Sequence, residues 1–302
     1  MKSVIAIRTH LFGDPERKLF KYLSSYFGRE NVITAIQKSQ KTPLVPDEYN
    51  PKLVGENTLE GLYLHPNWGW RCGDYWYYSM LSYISNYDYL WLIEPDVYFG
   101  NTDPAVYFEQ FEKLRQDFIS VGLGEANKNL PFFHTGKHLE GKTMSCLFGF
   151  TRIKVSVIEE LYKERKRLSK SFMKIGDGSL NPVKEYPNDE IFVSTVLANK
   201  NLLLDRMQNL SSFDFRLFTQ NGDNAMVYKQ VENLAGCFLI HPVLTEENYI
   251  AKKKKALMRR LRTNQPISDW LTHIVRKQTN QPTKEKLRRE LEQAYNKFLN
   301  NI

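Results

Sequence analysis

Apolar positions along the chain follow two alternating rhythms, one of period two and one of period near 3.6. Residues 2–9 (KSVIAIRT) are a short β-branched apolar run, the pattern of a buried opening strand. Asp14-Pro15 then starts a helix over 15–26 that spaces Leu19, Phe20, Leu23 and Tyr26 onto one face. Strands are predicted at 31–37 and 61–65, separated by a polar, Pro-containing loop over 38–59. Residues 70–86 predict a mostly buried aromatic helix, and 89–97 (YLWLIEPDV) the clearest strand of the chain. An amphipathic helix at 103–116, strands at 117–123 and 143–151, and a charged helix at 153–168 continue the alternation. A helix at 188–200 opens with acidic residues, which suits the helix dipole, and 201–204 lead into a short strand. The run 236–242 (GCFLIHP) is the last strand-like segment before a helical tail. Strands alternating with helices predict an α/β layered domain with a largely parallel sheet, and no internal repeat is visible.

Composition narrows the class. The 302 residues are 42% hydrophobic and 25% charged, enough for a substantial core, which excludes disorder, collagen-like repeats and a disulfide-stapled miniature. No run reaches the 18 or so apolar residues of a spanning helix; the nearest, 75–93, carries Asn86, Asp88 and many tyrosines. The apolar stretch before Arg8 is too short for a secretory signal. Cys72, Cys146 and Cys237 lack metal or redox spacing and are expected as buried thiols in a reducing compartment. The expectation is a soluble cytoplasmic protein.

The net charge of +8 is unevenly spread. From residue 251 onward there are 14 Lys/Arg and 4 Asp/Glu, whereas the first 250 residues hold 28 basic and 30 acidic side chains. A near-neutral body over 1–249 and a basic helical extension over 250–302 are therefore expected. The body's balance argues against nucleic acid as a partner. In the extension, 251–263 (AKKKKALMRRLRT) mixes seven basic residues with Leu257, Met258 and Leu261, and Trp270, Leu271 and Ile274 follow. Residues 251–274 thus fit a segment lying on an anionic membrane surface, where each nearby Lys/Arg contributes about 1 kcal/mol, or a solvated helix packing back on the body. Residues 284–300 read as a charged helix with Leu287, Leu291, Tyr295 and Phe298 inside.

Four clusters can carry chemistry. Glu94 and Asp96 flank Pro95 at the C-terminal end of an apolar strand, the edge where open α/β sheets bind ligands. On a strand both side chains share one face, and two hard oxygen ligands there suit a divalent cation and a diphosphate; the bland alternative is solvated carboxylates or a pair with Arg71. Asp189 and Glu190 open a predicted helix, where they serve the cap and the dipole or accept a proton from an acceptor hydroxyl. His241 follows an apolar run and precedes Pro242, placing it as a hydrogen-bonded structural residue or as the imidazole that completes a cation site. Arg71 and Asp74 are three apart, so they form a local ion pair, or they neutralise a diphosphate and bind sugar hydroxyls respectively.

In order, an Arg8-Thr9 strand exit, the Arg71/Asp74 helix, the Glu94-Pro95-Asp96 strand end, the FGF strand, the Asp189-Glu190 helix and the terminal His241-Pro242 resemble one plan. The chain resembles nucleotide-sugar-dependent glycosyltransferases of the GT-A fold, especially bacterial enzymes of surface polysaccharide, lipopolysaccharide or capsule synthesis, over about residues 3–245. That resemblance implies a Rossmann-like, mainly parallel sheet and a divalent cation, Mn²⁺ or Mg²⁺. It places Asp96 and His241 on the metal and Glu94, standing where aspartate is usual, on the metal or the ribose. Arg8 and Thr9 would contact the base, Arg71 and Asp74 the rest of the donor, and Asp189 or Glu190 the acceptor. The implied reaction moves a sugar from a nucleotide-diphosphate donor, UDP-sugar by default, to a hydroxyl of a glycan or lipid-linked acceptor. An enzyme with such an acceptor would work at the inner face of the cytoplasmic membrane. The competing readings are a metal-dependent nucleotidyltransferase, disfavoured because RTHLFGD carries a single glycine after the first strand, and a non-catalytic protein binding nucleic acid or anionic surfaces.

Overall fold

The computed structural model describes residues 1–39, 41–174, 181–219, 224–234 and 236–299. The chain forms two compact units, one of residues 1–95 and 103–213, the other of 96–102 and 214–302. The first contains, in order, β1 (Ser3–Thr9), α1 (Asp14–Phe27), β2 (Val32–Gln37), β3 (Pro51–Val54), α2 (Trp68–Arg71), α3 (Asp74–Ile84) and β4 (Tyr89–Ile93). It continues with α4 (Pro104–Phe108), β5 (Phe118–Glu125), β6 (Met144–Lys154), α5 (Val155–Lys174), α6 (Pro182–Glu185), α7 (Asp189–Ala198), β7 (Leu204–Arg206) and α8 (Met207–Leu210).

Seven strands join in the order β3-β2-β1-β4-β6-β5-β7. All pairings are parallel except the two made by β6, so the mixed, mainly parallel, helix-flanked sheet expected from the sequence is the one found. The central strands read as unbroken apolar runs because both faces are covered. Val4, Ala6, Leu90 and Leu92 join Tyr75, Met80, Ile158, Leu161 and Val193 in one core. On the opposite face Trp91 packs edge-on against Phe108 and Phe111, each 5.3 Å away, and lies flat on Phe150.

Several expected elements differ. The loop over 38–59 contains edge strand β3, docked by bonds from Thr34 N–H to Asn50 O (3.2 Å) and from Lys38 N–H to Val54 O (2.7 Å). Asn50 makes the turn into it at φ 45°, and only Val54 of the four strand residues is buried, so no apolar alternation marked it. Residues 61–65 are not a strand; Gly61 turns at φ 80°. The aromatic helix is broken at Cys72-Gly73, because the Gly73 N–H leaves the helical ladder for Asp189. The helix expected over 103–116 stops at Phe108 and a following 3₁₀ turn, and the Leu114 carbonyl accepts from Arg152 instead of a helical N–H. The strand expected to 97 ends at Ile93. Its last rung is Glu94 N–H to Gly149 O, and Pro95, without an N–H, starts a turn, so Glu94 and Asp96 do not share a strand face.

The second unit holds β8 (Met226–Val227), α9 (Tyr228–Val231), β9 (Val243–Leu244), α10 (Glu246–Arg262), α11 (Ser268–Lys277) and α12 (Gln281–Leu299). The strand expected over 236–242 appears as single bridges at Phe238, Ile240 and His241, because each residue pairs with a different segment. Tyr249, Ile250, Leu257 and Leu261 of α10 are buried with Trp270, Ile274, Leu287, Leu291, Ala225 and Val227. The boundary expected at 249 falls inside α10. Leu257, Leu261, Trp270 and Ile274 thus serve this core, and Met258 and Leu271 pack partly buried against it. Leu287 and Leu291 are inside as expected, Tyr295 and Phe298 partly so, and residue 300 lies outside the described residues. Cys72 and Cys146 are buried free thiols, but Cys237 is exposed beside Thr102. No described helix is long and apolar enough to cross a membrane.

Candidate functional site

In the first unit the exits of β1 and β4, the α2–α3 break and the start of α7 converge on Arg8. This guanidinium is buried, donating to Glu94 Oε1 at 2.5 Å and lying 3.5 Å from Asp189 Oδ2. The two carboxylates outweigh its burial and raise its pKa. Asp189 also accepts from the N–H groups of Gly73 (2.8 Å) and Glu190 (2.9 Å). Asn188 caps α7 through Ile191 N–H and donates to Glu190 Oε2. Burial raises both carboxyls above the usual carboxylate range; Asp189 raises Glu190 further, while Arg8 opposes the rise at Asp189. A carboxyl that gives up its proton near neutrality is suited to general-base work.

The other sequence-selected residues of this unit are committed elsewhere. Asp74 and Arg165, both fully buried, form a two-pronged ion pair with both bonds at 2.7 Å, and Tyr78 OH adds a third bond to Asp74. Arg71 makes no local pair with Asp74 and none with Glu94. It donates to the carbonyls of Val183 (2.8 Å), Lys184 (3.1 Å) and Tyr186 (2.8 Å), pinning α6 and the approach to α7. Thr9 Oγ1 contacts Leu11 O and Glu16 Oε1, closing the turn into α1. Asp74, Arg71 and Thr9 therefore brace the elements that carry Arg8 and Asp189. Sequence reasoning missed Gly73 and Arg165. The glycine was visible only as the residue before Asp74, and nothing local marks Arg165, whose partner is 91 residues away.

The second unit holds the other pair. The segment 96–102 zips onto 238–243 through Tyr98–Ile240 bonds in both directions and a Val243 N–H bond to Asp96 O (2.8 Å). This register sets His241 Nε2 3.4 Å from Asp96 Oδ1. Nδ1 faces Thr219 O at 2.9 Å, and only a protonated Nδ1 can bond a carbonyl. Phe218 stacks on the ring. The carbonyl thus fixes the tautomer and aims Nε2 at a carboxylate, the arrangement that orients metal-binding histidines. A carboxylate oxygen and an imidazole nitrogen so placed are a candidate donor pair for a divalent cation.

No protein-family model matches the sequence and no curated protein matches it. Among solved structures, a glycosyltransferase involved in glycosylating the major capsid of PBCV-1 is similar at 9% identity and TM-score 0.38, covering 83% of this chain and 98% of its own. A mannose-1-phosphate geranyltransferase from Thermus thermophilus is similar at 12% and 0.38, covering 75% and 82%. The galactosyltransferase LgtC, solved with donor and acceptor sugar analogues, is similar at 11% and 0.34, covering 78% and 79%.

Proposed function

We propose that the protein is a metal-dependent glycosyltransferase that moves a sugar from a nucleotide-diphosphate donor, with a UDP-sugar favoured, to a hydroxyl of a glycan or lipid-linked acceptor. The observation that carries the reading is the Asp96–His241 pair, with its imidazole held by Thr219 O so that Nε2 faces a carboxylate. Asp96 and His241 would hold the cation. The cation would neutralise charge developing on the departing diphosphate. Arg8 holds Glu94 and Asp189 in place and keeps a positive charge beside them. Asp189 or Glu190 takes the proton from the acceptor hydroxyl. Thr9, Arg71 and Asp74 position these groups rather than touch the donor. The test is turnover of UDP-, GDP- and CMP-sugars with Mn²⁺ and simple glycoside acceptors. Release of nucleotide with sugar transfer, lost in Asp96→Ala and His241→Ala, supports the reading. Pyrophosphate release from a nucleoside triphosphate and a sugar phosphate would favour a nucleotidyltransferase instead.

A further inference from the structure

At the other end of the first unit's sheet, a cavity of about 190 Å³ opens beside the start of β1 and the end of β6. Trp91, Phe108 and Phe111 form apolar walls, and Ser3, Glu112 and Arg152 add polar groups. Arg152 lies on β6 directly across from Trp91 of β4, and its guanidinium stacks 3.5 Å over the Tyr89 ring. It is 1% exposed. Nη2 donates to Leu114 O at 2.9 Å, whereas Nη1 has no hydrogen-bond partner among the described residues. No carboxylate of the described residues pairs with this buried charge. Glu112 lines the cavity but receives Tyr26 OH at 2.5 Å.

An arginine buried with a free donor and without a counter-ion is costly, because its hydration is lost and the Leu114 carbonyl and the Tyr89 ring replace only part of it. Arginine heads are the preferred partners of planar carboxylates. We infer that this cavity is a binding site for a small organic monocarboxylate with a compact apolar ring, its carboxylate meeting Arg152 and its ring lying among Trp91, Phe108 and Phe111. Glu112 sets the charge selection. A second negative charge on the ligand meets this carboxylate, so a monoanion is favoured over phosphate or sulfate. The site is independent of the transferase reading.

The test uses the full chain and 3-phenylpropionate, with 3-phenylpropanol as the neutral counterpart and inorganic phosphate as the multiply charged one. Calorimetry follows binding, with the chain's tryptophan fluorescence beside it. The expected result is saturable 3-phenylpropionate binding at least tenfold tighter than either comparison compound. Arg152→Met, its fold checked by circular dichroism, loses tenfold or more, and Glu112→Gln binds severalfold more tightly. Absence of saturable binding to the wild type, or equal binding of the alcohol, overturns the inference whether or not the Arg152 variant folds. Unchanged affinity in a folded Arg152→Met protein overturns it as well.

Discussion

A Cβ at Gly73 would collide with Arg8 Nη1, Asp189 Oδ2 and the Phe148 ring, so this residue is glycine for lack of space. Its φ of −61° is open to any residue, which isolates the steric cause. Gly73→Ala is expected to push Arg8 and Asp189 apart, lowering the thermal midpoint and cutting transfer at least tenfold. Scanning calorimetry beside the transfer assay checks both. Asp74 makes the opposite case, a residue selected for binding whose oxygens are taken by Arg165 and Tyr78. Asp74→Asn leaves a buried guanidinium half-paired and is expected to cost about 3–5 kcal/mol, read as a lower urea midpoint. If Asp189 rather than Glu190 is the base of the proposed transfer, Asp189→Asn, which keeps the shape, should lower turnover about 10²–10⁴-fold with the fold intact.

Helix α7 shows how an element's start sets the chemistry. Asn188→Ala removes its cap and a donor to Glu190, at a cost of about 1 kcal/mol in chemical denaturation. The raised carboxyls give a pH signature. The unfolded chain releases these protons near pH 4, while the folded one keeps them to higher pH, so it binds more protons between those limits. Stability from this pair is therefore greatest in acid and declines as pH rises through the raised values. Glu190→Gln should flatten that decline in thermal midpoints measured from pH 4 to 9. Elements buried on two faces, such as YLWLI in β4, were legible because every position is apolar. Edge strand β3 was not, since PKLV buries one side chain and is held by backbone bonds to β2. The turn at Glu94 was foreshadowed by Pro95, yet the alternation of a strand was carried through it.

On the scale of the whole molecule, the order of short motifs carried more information than any one of them. It brought Arg8, Glu94 and Asp189 together in one unit and Asp96 with His241 in the other, although the long stretches between them are silent about these pairings. What the sequence left open was which polar residues brace and which stay available. That depends on distant partners such as Arg165 for Asp74 and the α6 carbonyls for Arg71. The basic extension likewise read as either a membrane-surface segment or a helix packing back, and its apolar residues close the core of the second unit. The central claim is a cation held by Asp96 and His241 that a nucleoside diphosphate needs in order to bind. Calorimetric titration of UDP with and without Mn²⁺, on wild type and Asp96→Ala, tests it most directly. The account predicts Mn²⁺-dependent binding that the substitution abolishes; binding that ignores both the metal and Asp96 would contradict it.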